Sequence, residues 1–149
     1  MINSITSGFG ALLDESERVS YGGGKRLKEQ AMKVDQAIMG LSQSEKIKAG
    51  LIWVSQALEL GRGLHPSESR GAEQVIKALV GMIGHEVRLA RNIAPDDAWE
   101  TVEKRLEQAE VMINSGVGPE SVIHLTQAVS QTTGIGRRAM TLLKDKGLL

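Results

Sequence analysis

The sequence predicts an all-α protein, an antiparallel bundle of about five helices with a flexible N-terminal arm. From Lys25 onward the apolar residues recur three and four positions apart, and they almost never alternate two apart. Only an α-helix gathers residues at that spacing onto one side. Gly and Pro residues interrupt the pattern at intervals, which predicts helices joined by short connections. The length suits one domain, so we expect an arm over residues 1–24 and a single helical-bundle domain over residues 25–149.

The N-terminal segment differs in composition from the rest of the chain. It is rich in Ser, Thr and Gly and ends in the run Gly22 to Gly24, which favours no single backbone conformation. We therefore expect a flexible arm whose few apolar side chains are available to a partner subunit. Its short apolar run is followed at once by acids and has no basic residue before it, which argues against a secretory signal. The expected location is the cytoplasm.

Two helices are predicted in the segment that follows the arm. The first covers about Lys25 to Leu41. Ser42 and Glu45 are spaced as a capping box, which predicts that a second helix starts here and continues to about Leu60. So short a connection makes the two helices antiparallel neighbours. Their expected buried rows are Leu27, Ala31, Val34, Ile38 and Leu41 in the first helix and Ile47, Leu51, Val54 and Leu58 in the second.

Prolines open the next two predicted helices. Pro66 starts a third helix that runs to about Asn92. Pro95 precedes a fourth helix, where Asp97 and Glu100 repeat the capping signal. The expected buried rows are Ile76, Val80, Ile83, Val87 and Ala90 in the third helix and Trp99, Val102, Leu106, Ala109 and Ile113 in the fourth. Leu79 is expected beside the row of the third helix.

The C-terminal part is predicted to hold a helix that breaks at two glycines. Pro119 opens this helix, and the break falls around Gly134 and Gly136. A short basic helix from Arg137 to Lys146 then closes the pattern. The helix starts follow no constant period, so the sequence favours a bundle over a repeat solenoid.

Composition excludes several classes of protein. The formal net charge is zero, so the molecule lacks the strong positive field of a general nucleic-acid binder. The chain contains no cysteine, which excludes disulfides, thiolate metal sites and a cysteine nucleophile. No segment reaches the roughly 18 uninterrupted apolar residues that span a bilayer, so we expect no membrane partner.

The sequence predicts no catalytic, cofactor-binding or metal site. His85 and Glu86 begin the pattern of a helical zinc protease, but Leu89 stands where the second histidine is needed. The glycines before Lys25 lack the other residues of a phosphate-binding loop, and no G-x-S-x-G motif of serine hydrolases occurs. An enzyme is therefore the less favoured class, and no cofactor is expected.

The segment 125–149, LTQAVSQTTGIGRRAMTLLKDKGLL, is predicted to form a short helix, a glycine turn and a second helix that opens with an Arg pair. This segment resembles the second and third helices of a helix-turn-helix. Its ending is similar to that of the recognition helix in winged-helix regulators. The resemblance implies a DNA-binding protein, and its expected phosphate contacts come from Arg137, Arg138, Lys144 and Lys146. DNA binding is therefore the alternative function.

The function that the sequence favours is that of a non-catalytic protein-interaction module. Every predicted helix has an apolar row, and bundles of short helices often complete their burial by pairing with a second copy. Apolar residues in the arm and at Leu148 and Leu149 add surface for such pairing. We therefore expect a homodimer, whose partner is a second copy of the chain or another protein, with nucleic acid the less favoured partner.

Overall fold

The structure is a computed structural model that describes residues 32–149 of the chain. Residues Lys33–Leu149 form one compact unit, and the residues described in it contain helices and no strand. The predicted arm over residues 1–24 and the predicted helix start at Lys25 lie outside the described residues. The elements are α1 (Val34–Gly61), α2 (Pro66–Ile93), α3 (Ala98–Asn114), a 3-10 helix (Gly118–Ser121) and α4 (Val122–Asp145).

The predicted all-α class is confirmed, but the described residues form four α-helices where about five were expected. The helix α1 packs against α2 and α4, and α3 packs against the same two helices from the other side of a shared core. All ten residues of the predicted rows of α2 and α3 are buried, and Trp99 is the largest of the fully buried side chains. Leu79, expected beside the α2 row, is 39% exposed.

The predicted connection at Gly40 to Ser42 is wrong, because α1 passes through these residues without a break. A Cβ added at Gly40 would lie 3.5 Å from the Ala94 Cβ, an ordinary contact distance, so Gly40 packs against the connection between α2 and α3 without the packing requiring a glycine. The predicted capping box does not form either. Glu45 instead pairs with Lys48 one turn further along the helix, at 2.6 Å.

The buried row of α1 is accordingly continuous and differs in part from the prediction. Ile38, expected to be buried, is half exposed, whereas Ala37 and Gly40 face the core. The second part of the row follows the prediction, with Ile47, Leu51, Val54 and Leu58 all buried.

The start of α3 is organised by Asp96 and Trp99. The Asp96 Oδ1 atom accepts the backbone N–H of Ala98 at 2.9 Å, whereas Asp97, the predicted cap, makes no side-chain capping bond. The indole Nε1 of Trp99 donates to the carbonyl oxygen of Ala94 at 3.0 Å, inside the core. The connection between α2 and α3 is therefore fixed by hydrogen bonds at both of its ends.

The predicted break at Gly134 and Gly136 is also wrong, because α4 is continuous from Val122 to Asp145. Gly136 lies where α4 meets α1, and a Cβ there would stand 2.6 Å from the Ser44 Oγ atom. The small residue allows the two helices to approach closely, and the packing outweighs the cost of about 1 kcal/mol for glycine inside a helix. Together with the uninterrupted α1, this continuity accounts for the smaller helix count.

Candidate functional site

A row of exposed apolar side chains runs along α2, and we call it the α2 stripe: Val75, Leu79, Met82 and Leu89. Val75 is 60% exposed and Met82 is 62% exposed, which is unusual for large apolar side chains in a regular row. Successive members are four, three and seven residues apart. This is the heptad spacing by which helices form seams with other helices.

The α2 stripe is distinct from the face of α2 that enters the core. Each member comes one residue before a buried residue, as Met82 comes before Ile83 and Leu89 before Ala90. One residue corresponds to about 100° around a helix, so the stripe lies on the flank of α2 beside the core. The helix therefore carries two apolar faces, and the bundle covers one of them.

The α2 stripe lies on the side of α2 that faces α1. A Cβ added at Gly50 of α1 would lie 3.2 Å from Ile83, and the Lys46 Nζ atom lies 2.8 Å from the Glu86 Oε2 atom. As the residue number falls along α1 it rises along α2, so the two helices run in opposite directions. Their register brings Trp53, which is 68% exposed, level with Leu79. We call Trp53 together with the α2 stripe the α1–α2 surface.

One ion pair interrupts this apolar surface. Glu86 occupies the heptad position between Met82 and Leu89, and its carboxylate pairs with Lys46 of α1. The lysine side chain is 60% exposed, whereas the Glu86 Oε2 atom that faces it is buried, so the lysine is the accessible member of the pair. The surface thus combines apolar contact area with a charged pair near the middle of its length.

The four residues predicted to contact nucleic acid have different surroundings in the structure. Arg138 hydrogen-bonds the carboxylate of Asp96, with Nη2 2.8 Å from Oδ1 and Nε 3.0 Å from Oδ2. The other three cations, Arg137, Lys144 and Lys146, are exposed at the C-terminal end of α4 and just after it. Because α4 passes straight through Gly134 and Gly136, the turn expected of a helix-turn-helix is absent from the segment 125–149.

The three histidines lie apart from one another, and the structure gives a side-chain hydrogen bond for His65. His65 is the N-cap of α2, and its Nδ1 atom accepts the backbone N–H of Ser67 at 3.3 Å. His85 is exposed on α2, and His124 lies near the start of α4. Within residues 32–149, no group of three His, Asp or Glu side chains is placed to hold a metal ion.

A shallow crevice of about 500 Å³ lies where the end of α1 meets the start of α4. Its lining is mainly apolar and comprises Ser55, Gln56, Glu59, Leu60 and Val122. The carboxylate of Glu59 pairs with Arg62 at 3.1 Å, which leaves no set of convergent polar groups of the kind that orients a small ligand. The crevice is therefore a weaker candidate than the α1–α2 surface.

The apolar pattern of the α2 stripe is present in the sequence, but the predicted row of this helix begins at Ile76 and has only Leu79 beside it. The residues one position earlier repeat at the same helical spacing, and this second row was the available signal.

None of the helices in residues 32–149 combines the length and the apolar character needed to cross a bilayer. Comparison of the chain with known protein families, characterised proteins and solved structures finds no match.

Proposed function

We propose that this protein is a non-catalytic helical interaction module, an antiparallel bundle that self-associates through the α1–α2 surface. The observation that carries the proposal is the heptad spacing of the exposed α2 stripe. Scattered apolar residues are normal on a protein surface, but a regular row on one flank of a helix is typical of an interaction site. A row at heptad spacing suits another helix as the partner, whether it comes from a second copy or from another protein.

The expected affinity of self-association is moderate. Because the stripe residues are already partly covered, each contributes about 1 to 2 kcal/mol on further burial, less than the full value for such a side chain. Two copies contribute both of their stripes, while association costs about 4 to 15 kcal/mol in lost freedom of motion. The gain and the cost are of the same order, so we expect a dimer that dissociates on dilution.

Sedimentation velocity over a range of protein concentrations tests this proposal. The wild-type chain should form dimers as the concentration rises, and Met82→Lys should shift that transition to at least tenfold higher concentration. The matched control is Val111→Lys on α3, because Val111 is 64% exposed but shares its helix face with Glu100, Lys104 and Glu107. A wild-type chain that stays monomeric at several hundred micromolar, or a control that weakens association equally, would overturn the proposal.

DNA binding is the second candidate function, and one observation favours it. Arg137 and Lys144 are exposed and lie seven residues apart on α4, so both project from the same side of that helix. Fluorescence anisotropy with a labelled duplex at low salt tests this candidate. Binding should weaken steeply with added salt and should be lost when both residues are changed to Ala. Failure of the intact protein to bind the duplex at low salt would eliminate it.

The proposal places the module in the cytoplasm. The chain contains no cysteine, so it depends on no disulfide and is suited to a reducing compartment. Its surface charges balance overall, which favours a protein partner over a polyanion.

A further inference from the structure

The geometry points to an antiparallel twofold dimer, in which the α2 stripe packs against the same stripe of a second copy about an axis near residue 84. This inference rests on the proposed function and specifies the partner and its orientation. Three features of the α1–α2 surface support it: the symmetry of the stripe, the placement of its charges and its length.

The α2 stripe becomes symmetric in its spacing when two further residues of the same helix face are added to it. With Glu86, which is charged, and Ile93, which is half-buried, the row is Val75, Leu79, Met82, Glu86, Leu89 and Ile93. The intervals are therefore four, three, four, three and four residues. When a second copy is laid antiparallel, Val75 lies level with the other copy's Ile93, Leu79 with Leu89, and Met82 with Glu86. A twofold interface requires such self-complementarity.

The charges favour the antiparallel orientation over the parallel one. In a parallel pairing, Glu86 of one copy would lie directly opposite Glu86 of the other, and like charges at such positions repel. In the antiparallel pairing each Glu86 lies opposite Met82. Lys46, which neighbours Glu86 at 2.8 Å and is 60% exposed, then stands on each side of the axis. Each copy therefore places its own ion pair of Lys46 and Glu86 close to the centre of the interface.

The length of the row is sufficient for such a contact. From Val75 to Ile93 the helix advances about 27 Å at 1.5 Å per residue. The antiparallel orientation also places the positive end of each α2 dipole beside the negative end of the other, which is the favourable arrangement. The stripe thus offers one continuous seam whose two ends are equivalent in the dimer.

Distance measurements between spin labels on the two copies test the orientation. The chain has no cysteine, so each single-cysteine variant of the full-length protein carries one label per copy. Suitable sites are Gly71, Ala78, His85 and Asn92, which are exposed and seven residues apart on one side of α2. At Gly71 the space for a new side chain is open, with no atom within 4 Å of an added Cβ.

The expected result is a minimum in the label-to-label distance at His85→Cys. In an antiparallel pair, the axial part of that distance grows by about 3 Å for each residue away from the axis, because each copy contributes its own 1.5 Å rise. Gly71→Cys should therefore give the longest label-to-label distance. Asn92→Cys and Ala78→Cys should give intermediate distances. As a control, adding Met82→Lys to the His85→Cys variant should remove most of the dipolar signal at the same concentration.

The outcomes separate this inference from the function on which it rests. Nearly equal distances at all four sites in a confirmed dimer would overturn the antiparallel pairing and leave self-association intact. A distance minimum at Gly71→Cys, Ala78→Cys or Asn92→Cys would overturn the placement of the axis. A chain without dipolar coupling that also sediments as a monomer would overturn both proposals.

Discussion

Arg138 of α4 donates hydrogen bonds to both carboxylate oxygens of Asp96, in the connection between α2 and α3. The Asp96 Oδ1 atom also accepts the backbone N–H of Ala98 at 2.9 Å, so one carboxylate joins the start of α3 to the side of α4. The Asp96 side chain is only 11% exposed, which makes the pair less accessible to water than an ordinary surface ion pair. A residue predicted to contact DNA thus has a structural role.

The first prediction is that Arg138→Ala lowers the free energy of unfolding by about 1 to 2 kcal/mol, the usual range for a charge-assisted hydrogen bond with a partly buried partner. Urea denaturation monitored by circular dichroism measures the change. Arg137→Ala is the matched control and should stay within about 0.5 kcal/mol of the wild type, because Arg137 is exposed at the next position of the same helix.

Asp96→Ala should destabilise the protein more than Arg138→Ala, since it also removes the acceptor for the Ala98 N–H. A double-mutant cycle between the two positions isolates their pairwise energy. A coupling energy near zero would show that the contact contributes nothing to stability.

The second prediction concerns the contact between α1 and α4. Gly136→Ala should destabilise the protein by about 1 to 3 kcal/mol, as overpacking does in well-packed regions. The reason is steric: the new Cβ would stand 2.6 Å from the Ser44 Oγ atom. Thermal denaturation provides the measurement.

Two further variants separate this steric effect from helix propensity. Gly81→Ala should stabilise the protein by up to about 1 kcal/mol, because no atom lies within 4 Å of an added Cβ and alanine favours the helix. Changing Ser44 to Ala should recover part of the loss caused by Gly136→Ala, since the hydroxyl is the nearest obstacle. A Gly136→Ala variant as stable as the wild type would contradict the close contact between α4 at Gly136 and α1 at Ser44.

The sequence predicted the helical class and most buried rows, but not where the helices are interrupted. Gly40, Gly134 and Gly136 were interpreted as breaks because glycine disfavours a helix locally. In the structure, Gly40 is buried within the continuous α1, and Gly136 lies where α4 approaches α1 closely. The apolar and small residues continue in helical phase across them, with Ile135 buried within the predicted break and Ala139 buried beyond it. That continuity was present in the sequence, whereas the compensating contacts depend on the tertiary fold.

The candidate site was only partly predictable for a related reason. The rows of α2 that begin at Val75 and Ile76 are both apolar and have the same spacing. Periodicity identifies each as a helix face, but the choice of the face that enters the core depends on how α1 and α3 pack. Likewise, the sequence marks Arg138 as a cation but does not reveal Asp96 as its partner, because the two are 42 positions apart.

The third prediction is that Gln43→Met stabilises the protein by about 1 kcal/mol, the lower end of the cost of an unsatisfied buried acceptor. Gln43 is 8% exposed, and its Oε1 atom has no hydrogen-bond donor within the part of the chain that the structure describes. Methionine keeps a similar volume without the polar atom. Chemical denaturation should show the gain, and Gln56→Met, at an exposed site of the same helix, should show little change. A destabilised Gln43→Met variant would indicate that the amide oxygen has a partner.

The fourth prediction uses the contrast between the two tryptophans. Trp99 is fully buried, whereas Trp53 is 68% exposed on the α1–α2 surface. In the Trp99→Phe variant the remaining emission should lie at long wavelength and be readily quenched by acrylamide at low protein concentration. It should shift toward shorter wavelength as the concentration rises through the dimer transition, because Trp53 is flanked by the stripe that the second copy covers. Trp53→Phe is the control, and its emission should stay the same over that range. If dimers form while the emission of Trp53 remains constant, Trp53 lies outside the interface, and the contact is confined to α2.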